Sequence, residues 1–86
     1  MKILLVCRAR LYSHLIHGCL TDKGHDVHRT NDGEPALAQL TEERYNLLLT
    51  DMNLTTMSGL ELFIKCKATQ PQLTSIIFTN NLNDEL

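Results

Sequence analysis

The residues best placed to do chemistry are polar and reactive side chains that directly follow apolar segments. There are three such places: Cys7 and Arg8 after residues 2–6, Asp51 after residues 47–50, and Thr79 and Asn80 after residues 75–78. If these segments are parallel strands, their carboxyl ends share one edge of a sheet and the side chains converge there. A carboxylate that ends a buried strand is costly unless it stays hydrated, has a partner or takes part in a reaction. Asp51 is therefore the centre of a candidate site, unless it only caps the turn that follows.

Two other kinds of chemistry are open to this sequence. Arg8 would favour the thiolate form of Cys7 and make it a reactive thiol, although a small buried core residue fits the same position. The four histidines are candidate metal ligands: His14 and His17, one helical turn apart, and His25 and His28 in the next segment. Their spacing matches no structural zinc pattern, and the three cysteines form no CxxC pair.

Length and composition limit the classes of protein to which the chain can belong. It has 86 residues, 43% hydrophobic and 21% charged, with a formal net charge of −2, so one globular domain over residues 1–86 is expected. Its scattered Lys and Arg form no basic stripe, which argues against nucleic-acid binding within these residues. The apolar start is too short for a signal peptide, and no later stretch reaches the ~20 apolar residues of a membrane span. A cytoplasmic protein is therefore expected.

The elements that must position these residues alternate between strand and helix. Strands are predicted at 2–6, 26–30, 47–50 and 75–78, and helices at 10–23, at 35–43, and from Gly59 to a point before Pro71. A further helix is predicted to begin within residues 80–86. This alternation is typical of a parallel sheet joined by right-handed crossovers. If the chain winds one way and then reverses, strands one and three are neighbours at a switch point, where such sheets bind ligands.

The apolar rows of the helices are expected to form the core. In the first helix the rows are Leu11, Leu15 and Cys19, and Tyr12, Ile16 and Leu20; in the second, Ala36, Leu37 and Leu40; in the third, Leu60, Phe63 and Ile64. Each set recurs at helical spacing.

Five segments, in this order and at these separations, resemble the receiver domain of two-component response regulators, the CheY-like family. They are KILLV at 2–6, NDGEPAL at 31–37, LLLTDMNL at 47–54, MSGLEL at 57–62 and IIFT at 76–79. The resemblance extends along the whole chain. It implies an α/β, flavodoxin-like, doubly wound parallel sheet with strand order 2-1-3-4, lacking the family's fifth strand and last helix.

The resemblance also implies roles for single residues. Asp51 falls on the aspartate that accepts a phosphoryl group from a histidine kinase. Thr79 falls on the hydroxyl residue that binds a phosphoryl oxygen and acts as a switch. Asn53 occupies the position whose backbone carbonyl helps to hold magnesium, and Gly59 matches the glycine at which the loop turns into the next helix.

Two positions depart from the family pattern at the metal site. Receivers follow strand one with two acidic residues that hold magnesium, whereas this chain has Cys7 and Arg8 there. A hard cation needs several oxygen ligands and Cys7 offers a soft sulfur, so magnesium binding is expected to be weak or absent. Arg8 either forms a forked ion pair with Asp51, which would keep that carboxylate ionised, or extends into water.

The chain also ends before the family's fifth strand, its lysine and its last helix, so the receiver-like domain is expected to be incomplete at the C-terminus. Strand four would then have an open edge, and an open edge favours pairing with another chain. Self-association through this edge is therefore expected.

The sequence thus predicts a degenerate receiver module, not an enzyme, that signals through contacts with a histidine kinase or another signalling protein. Magnesium-dependent phosphorylation at Asp51 is expected to be weakened or lost, and no cofactor is expected. Two alternatives stay open. One is a competent phosphoacceptor that uses Mg²⁺ and is completed by Asp84 or by a segment outside this chain. The other is a thiol- or metal-dependent enzyme that uses Cys7 and the histidines. An output domain elsewhere could bind DNA.

Overall fold

A computed structural model describes residues 1–79, in which four parallel strands alternate with three helices. The elements are β1 Lys2–Val6, α1 Arg10–Asp22, β2 Asp26–Thr30, α2 Gly33–Glu42, β3 Leu47–Asp51, α3 Gly59–Thr69 and β4 Thr74–Phe78. The strand order is β2-β1-β3-β4, which confirms the predicted doubly wound parallel sheet. The helix predicted within residues 80–86 lies outside the described residues, as do Asn80 and Asp84.

The sheet is buried on both faces at its centre, which explains the continuous apolar runs of β1 and β3. Leu4 and Val6 pack on the side that α2 and α3 cover, together with Leu48 of β3. Ile3 and Leu5 face the other side, which α1 covers. Because successive side chains of a strand point to opposite faces, a strand between two helical layers needs apolar residues at every position.

Helices α1 and α3 bury fewer of their predicted apolar residues than expected. In α1 the row of Tyr12, Ile16 and Leu20 packs on the core, whereas Leu11, Leu15 and Cys19 are exposed. In α3 the buried residues are Leu62 and Cys66, and Leu60 and Ile64 are exposed.

The prediction that all these rows are core was therefore wrong for Leu11, Leu15, Cys19, Leu60 and Ile64. A helix lying on a sheet buries a stripe about 100° wide, so a second row beside that stripe stays in solvent. For α2 the prediction was correct, since Ala36 and Leu40 are buried and Leu37 packs beside them. None of the helices within residues 1–79 combines the length and apolar character needed to cross a membrane.

Helix α2 begins at Gly33, two residues before the predicted start at Pro35. The reason is the preceding residue, because the Asp32 carboxylate accepts the Gly33 N–H at 2.7 Å and caps the helix. Pro35 then lies in the first turn, where the backbone N–H has no helical partner and its loss costs nothing.

Gln70, directly after α3, holds the connection between α2 and β3 in place. Its side-chain amide donates to the carbonyl oxygens of Leu40 at 2.9 Å and Glu43 at 2.7 Å. Its side-chain oxygen accepts the backbone N–H of Tyr45 at 3.1 Å. Gln70 is itself buried. Its bonds to Leu40 and Tyr45 are buried as well, so they satisfy backbone groups that water does not reach.

Candidate functional site

Asp51 is the last residue of β3, and its side chain is only 2% exposed. One carboxylate oxygen accepts the backbone N–H of Asn53 at 3.0 Å, across the turn that leaves the strand. Within residues 1–79 no lysine, arginine or histidine forms an ion pair with this carboxylate. The central residue of the predicted site is therefore a buried carboxylate at the switch point between β1 and β3.

Two backbone hydrogen bonds hold the loop after Asp51 in place. The Met52 N–H donates to the carbonyl oxygen of Phe78 at 2.7 Å, and the Gly59 N–H donates to the carbonyl oxygen of Met52 at 2.8 Å. The second bond brings the start of α3 against the end of β3. A side chain at position 59 would collide with the Asp51 carbonyl oxygen, so only glycine fits this close approach.

The same loop is also tied to the loop between β2 and α2 by Asp32. The Asp32 carboxylate accepts the backbone N–H groups of Thr55 at 3.2 Å and Thr56 at 3.0 Å, and the Thr56 hydroxyl at 3.0 Å. These bonds, together with the Gly33 N–H, hold the pKa of Asp32 below its usual value. Met57 packs directly over Gly33.

Sequence reasoning missed this link between the two loops. The one local sign of a role for Asp32 was its place directly before Gly33, Glu34 and Pro35, where an aspartate is a typical helix N-cap. Its partners lie 23 and 24 residues further along the chain, so no local pattern reveals them.

Cys7 lies beside Asp51 as a buried thiol. It is 2% exposed, and its Sγ donates to the carbonyl oxygen of Ala9 at 3.6 Å. Burial is the main cause that raises the pKa of Cys7, and the negative charge of Asp51 raises it further. The hydrogen bond to Ala9 and the positive charge of Arg29 oppose the rise without cancelling it. The raised pKa favours the neutral thiol, which opposes the interpretation of Cys7 as a reactive thiolate.

Arg8 does not form the ion pair with Asp51 that was one of its two predicted roles. Its side chain is exposed, and within residues 1–79 it makes no ion pair. The alternative, an arginine that extends into water, describes the structure. A flexible exposed guanidinium gains little from a fixed pair and keeps its hydration.

Thr79 and Asn53 lie at the same edge of the sheet as Asp51. Thr79 follows Phe78, the residue of β4 that pairs with Asp51 in the register of the two strands. Asn53 is exposed, two residues beyond the carboxylate. The structure thus brings Cys7, Asp51, Asn53 and Thr79 to one edge of the sheet.

The histidines do not assemble with Cys7. His28 binds the Tyr45 hydroxyl through Nδ1 at 2.9 Å and lies 3.3 Å from an Asp26 carboxylate oxygen. His25 binds the N-terminal amine of Met1 at 3.0 Å. In the part of the chain that the structure describes, no three His, Cys, Asp or Glu side chains are grouped so as to hold a metal ion.

Comparison with known proteins shows the family to which this chain belongs. Residues 3–86 match the family model of the response regulator receiver domain. The sensor histidine kinase AruS of Pseudomonas aeruginosa is 37% identical over 76 residues, which cover 88% of this chain and 7% of that protein. The chain therefore corresponds to a small part of this relative.

Two solved structures have the same fold. A CheY-like response regulator receiver domain protein from Methanospirillum hungatei superimposes with a TM-score of 0.88 at 28% identity, over 91% of this chain and 62% of that one. The response regulator TrrA from Thermotoga maritima, in complex with Mg²⁺ and BeF, gives a TM-score of 0.87 at 23% identity, over 95% of this chain and 71% of that one. With the family match along residues 3–86, the chain belongs to the response regulator receiver domains.

Proposed function

We propose that the chain is a cytoplasmic receiver-like module that signals through protein–protein contacts, with magnesium-dependent phosphorylation at Asp51 weakened or lost. The observation that carries this proposal is the environment of the buried Asp51 carboxylate. The positions after β1 hold the buried thiol of Cys7 and the exposed guanidinium of Arg8, where the family pattern has two carboxylates.

The side chains at the ends of β1 and β3 support this proposal because they are poor ligands for a magnesium ion. Mg²⁺ requires near-octahedral oxygen coordination, and Asp51 is the only carboxylate that the described β1 and β3 strand ends supply. The Cys7 sulfur is soft and protonated, and Arg8 adds positive charge at the same edge. Phosphoryl transfer depends on neutralising charge on the equatorial oxygens, so the loss of the metal removes a principal source of rate.

The test is incubation with a small phosphodonor and Mg²⁺, followed by intact mass measurement. We expect little or no phosphoryl adduct in the natural chain. We expect the double variant Cys7→Asp/Arg8→Asp to gain magnesium affinity and to accumulate adduct at least about tenfold faster. Circular dichroism of the double variant controls for loss of the fold. An adduct that forms on the natural chain as fast as on the double variant, and that disappears in Asp51→Asn, would overturn the proposal.

The second candidate function is a competent phosphoacceptor. It is favoured by the placement of Asp51 and Thr79 on adjacent strand ends, and by the likeness of the fold to TrrA, which was solved with Mg²⁺ and BeF. The Asp51→Asn comparison separates this candidate from the first. The third prediction, a thiol- or metal-dependent enzyme, loses support from the raised pKa of Cys7 and from the dispersed histidines.

Receiver domains work with histidine kinases, and we propose such a kinase, or another signalling protein, as the partner of this chain. AruS, which contains a matching segment, is itself named a sensor histidine kinase. Receiver domains are signalling modules, and we propose no catalytic turnover for this one.

We also propose that two copies of the chain associate through β4. Within residues 1–79, β4 pairs only with β3, and its Ile76 side chain is 50% exposed. An unpaired strand edge beside an exposed apolar side chain is a template for a second strand. Sedimentation velocity should show a concentration-dependent dimer that Ile76→Lys abolishes. Leu60→Lys, at a comparably exposed leucine of α3, should leave the dimer intact, and equal effects of the two variants would refute this interface.

A further inference from the structure

A cleft with two arginines opens at the carboxyl ends of β1 and β2. Its volume is about 550 Å³, within the size range of small-molecule sites. Cys7, Arg10, Ser13, Arg29, Asn31 and Pro35 are among its lining residues, and none of the lining residues is acidic. Asp51 is not part of the lining, although Cys7, which lies beside Asp51, is.

Arg29 is held in a fixed orientation within this cleft. Its Nε donates to the hydroxyl oxygen of Ser13 at 3.0 Å, and Ser13 is only 4% exposed. The register that pairs Arg29 with Leu5 puts its side chain on the face of the sheet that α1 covers. The Nε bond leaves the outer nitrogens of the guanidinium to meet a ligand, and the buried serine fixes the plane in which they lie.

The two arginines of the cleft, Arg10 and Arg29, have no direct carboxylate partner among the described residues. The α1 helix starts at Arg10, its N-cap Ala9 supplies no side-chain acceptor, and its first turn has no acidic residue. The partial positive charge of the helix N-terminus therefore adds to that of the two guanidinium groups.

We infer that this cleft binds a phosphate group, either as inorganic phosphate or as the end group of a small phosphomonoester. Guanidinium groups recognise phosphate through paired N–H···O bonds, and a dianion matches two arginines better than a single carboxylate does. Binding here does not depend on phosphorylation of Asp51. The proposal therefore stands or falls separately from the proposed function.

The test is titration of the ¹⁵N-labelled chain with inorganic phosphate at constant ionic strength, followed by backbone amide NMR. Saturable shifts are expected at residues 7–13 and 29–31. The same titration is carried out with two phosphomonoesters, glycerol phosphate and adenosine monophosphate. Tighter binding of a phosphomonoester identifies that source, whereas equal or weaker binding identifies inorganic phosphate. A response to an acidic peptide without a response to any phosphate compound would overturn the inference.

The variants separate a built site from general attraction to positive charge. Arg29→Gln and Arg10→Gln should each weaken binding about tenfold or more. Arg44→Gln, the matched control at an exposed arginine outside this cleft, should change it less than about twofold. Ser13→Ala keeps the charge of the cleft but removes the hydrogen bond that holds Arg29. A loss of phosphate affinity in this variant would show that Ser13 positions the Arg29 guanidinium. Unsaturable shifts, or equal effects of Arg29→Gln and Arg44→Gln, would show an adventitious ion only and overturn the proposal.

Discussion

Gly59 lies against the backbone of Asp51, so that a β-carbon at position 59 would be 2.4 Å from the Asp51 carbonyl oxygen. The same β-carbon would be 2.9 Å from the Cα of Met52. Both obstacles are backbone atoms, which cannot rotate away as the end of a side chain can. The position of the Asp51 carboxylate therefore depends on the absence of a side chain eight residues later.

The first prediction concerns this contact. Gly59→Ala should lower the free energy of unfolding by roughly 1–3 kcal/mol, because the backbone of β3 or α3 must shift to admit the methyl group. Urea denaturation measures the change. Gly18→Ala is the control, since a β-carbon there meets no atom within 4 Å and a helical alanine should stabilise by about 0.5–1 kcal/mol. Equal destabilisation by both variants would contradict the proposed contact.

The second prediction concerns the pH dependence of the Asp32 link. Folding lowers the pKa of Asp32, so its ionised form stabilises the folded state above the usual value of 3.8. That contribution should be lost as the pH falls through the lowered pKa of the folded state. In Asp32→Asn the stability should therefore be lower at neutral pH and should fall less on acidification. Thermal unfolding over a pH series measures both effects, and Asp22→Asn, at an exposed aspartate, is the control. Parallel curves for Asp32→Asn and the natural chain would refute this role.

The third prediction concerns Gln70. Replacement by alanine leaves the buried backbone groups of Leu40 and Tyr45, and the partly buried carbonyl oxygen of Glu43, without their partner. An unsatisfied buried polar group costs about 1–3 kcal/mol, and we expect a loss of at least this size in the free energy of unfolding. Gln72→Ala, in the exposed turn after α3, should change stability by less than about 0.5 kcal/mol. An equal change in stability for Gln70→Ala and Gln72→Ala would contradict this role of Gln70.

The fourth prediction concerns the reactivity of the three thiols. Burial raises the pKa of Cys66 to about 11 and also raises that of Cys7, so neither thiol should ionise or react readily near neutral pH. Cys19 is exposed on α1. A disulfide reagent should therefore modify one thiol rapidly in the folded protein and all three after denaturation. Cys19→Ser should remove the fast phase, and its persistence in that variant would show that a buried cysteine is accessible.

The central strands β1 and β3 were predictable because burial on both faces leaves a continuous apolar run in the sequence, whereas the strand order was implied by the family resemblance. The runs at Lys2–Val6 and 47–50 cannot be helical without an apolar row facing solvent, and their spacing requires crossovers. The location of Asp51 followed from this topology. What remained ambiguous was the orientation of each helix, since adjacent rows such as Leu15 and Ile16 are equally apolar.

The contacts that fix the loops could not be predicted from local patterns. Asp32 and Gln70 are polar residues of ordinary types, and their partners are distant in the sequence. Only the folded arrangement shows that one ties two loops together and the other satisfies buried backbone groups. The exposed position of Arg8 was likewise open, because a long side chain at a loop can either pair or extend into water.

The bonds from Asp32 to Thr55 and Thr56, together with the packing of Met57 on Gly33, join two surface loops to each other. If either loop is ordered by a ligand or a partner, the conformational entropy of the other is reduced in advance. A molecule that binds at the start of α2 should therefore increase the affinity of the Asn53 loop for its own partner. By thermodynamic reciprocity, binding at the Asn53 loop should increase affinity at α2 by the same factor.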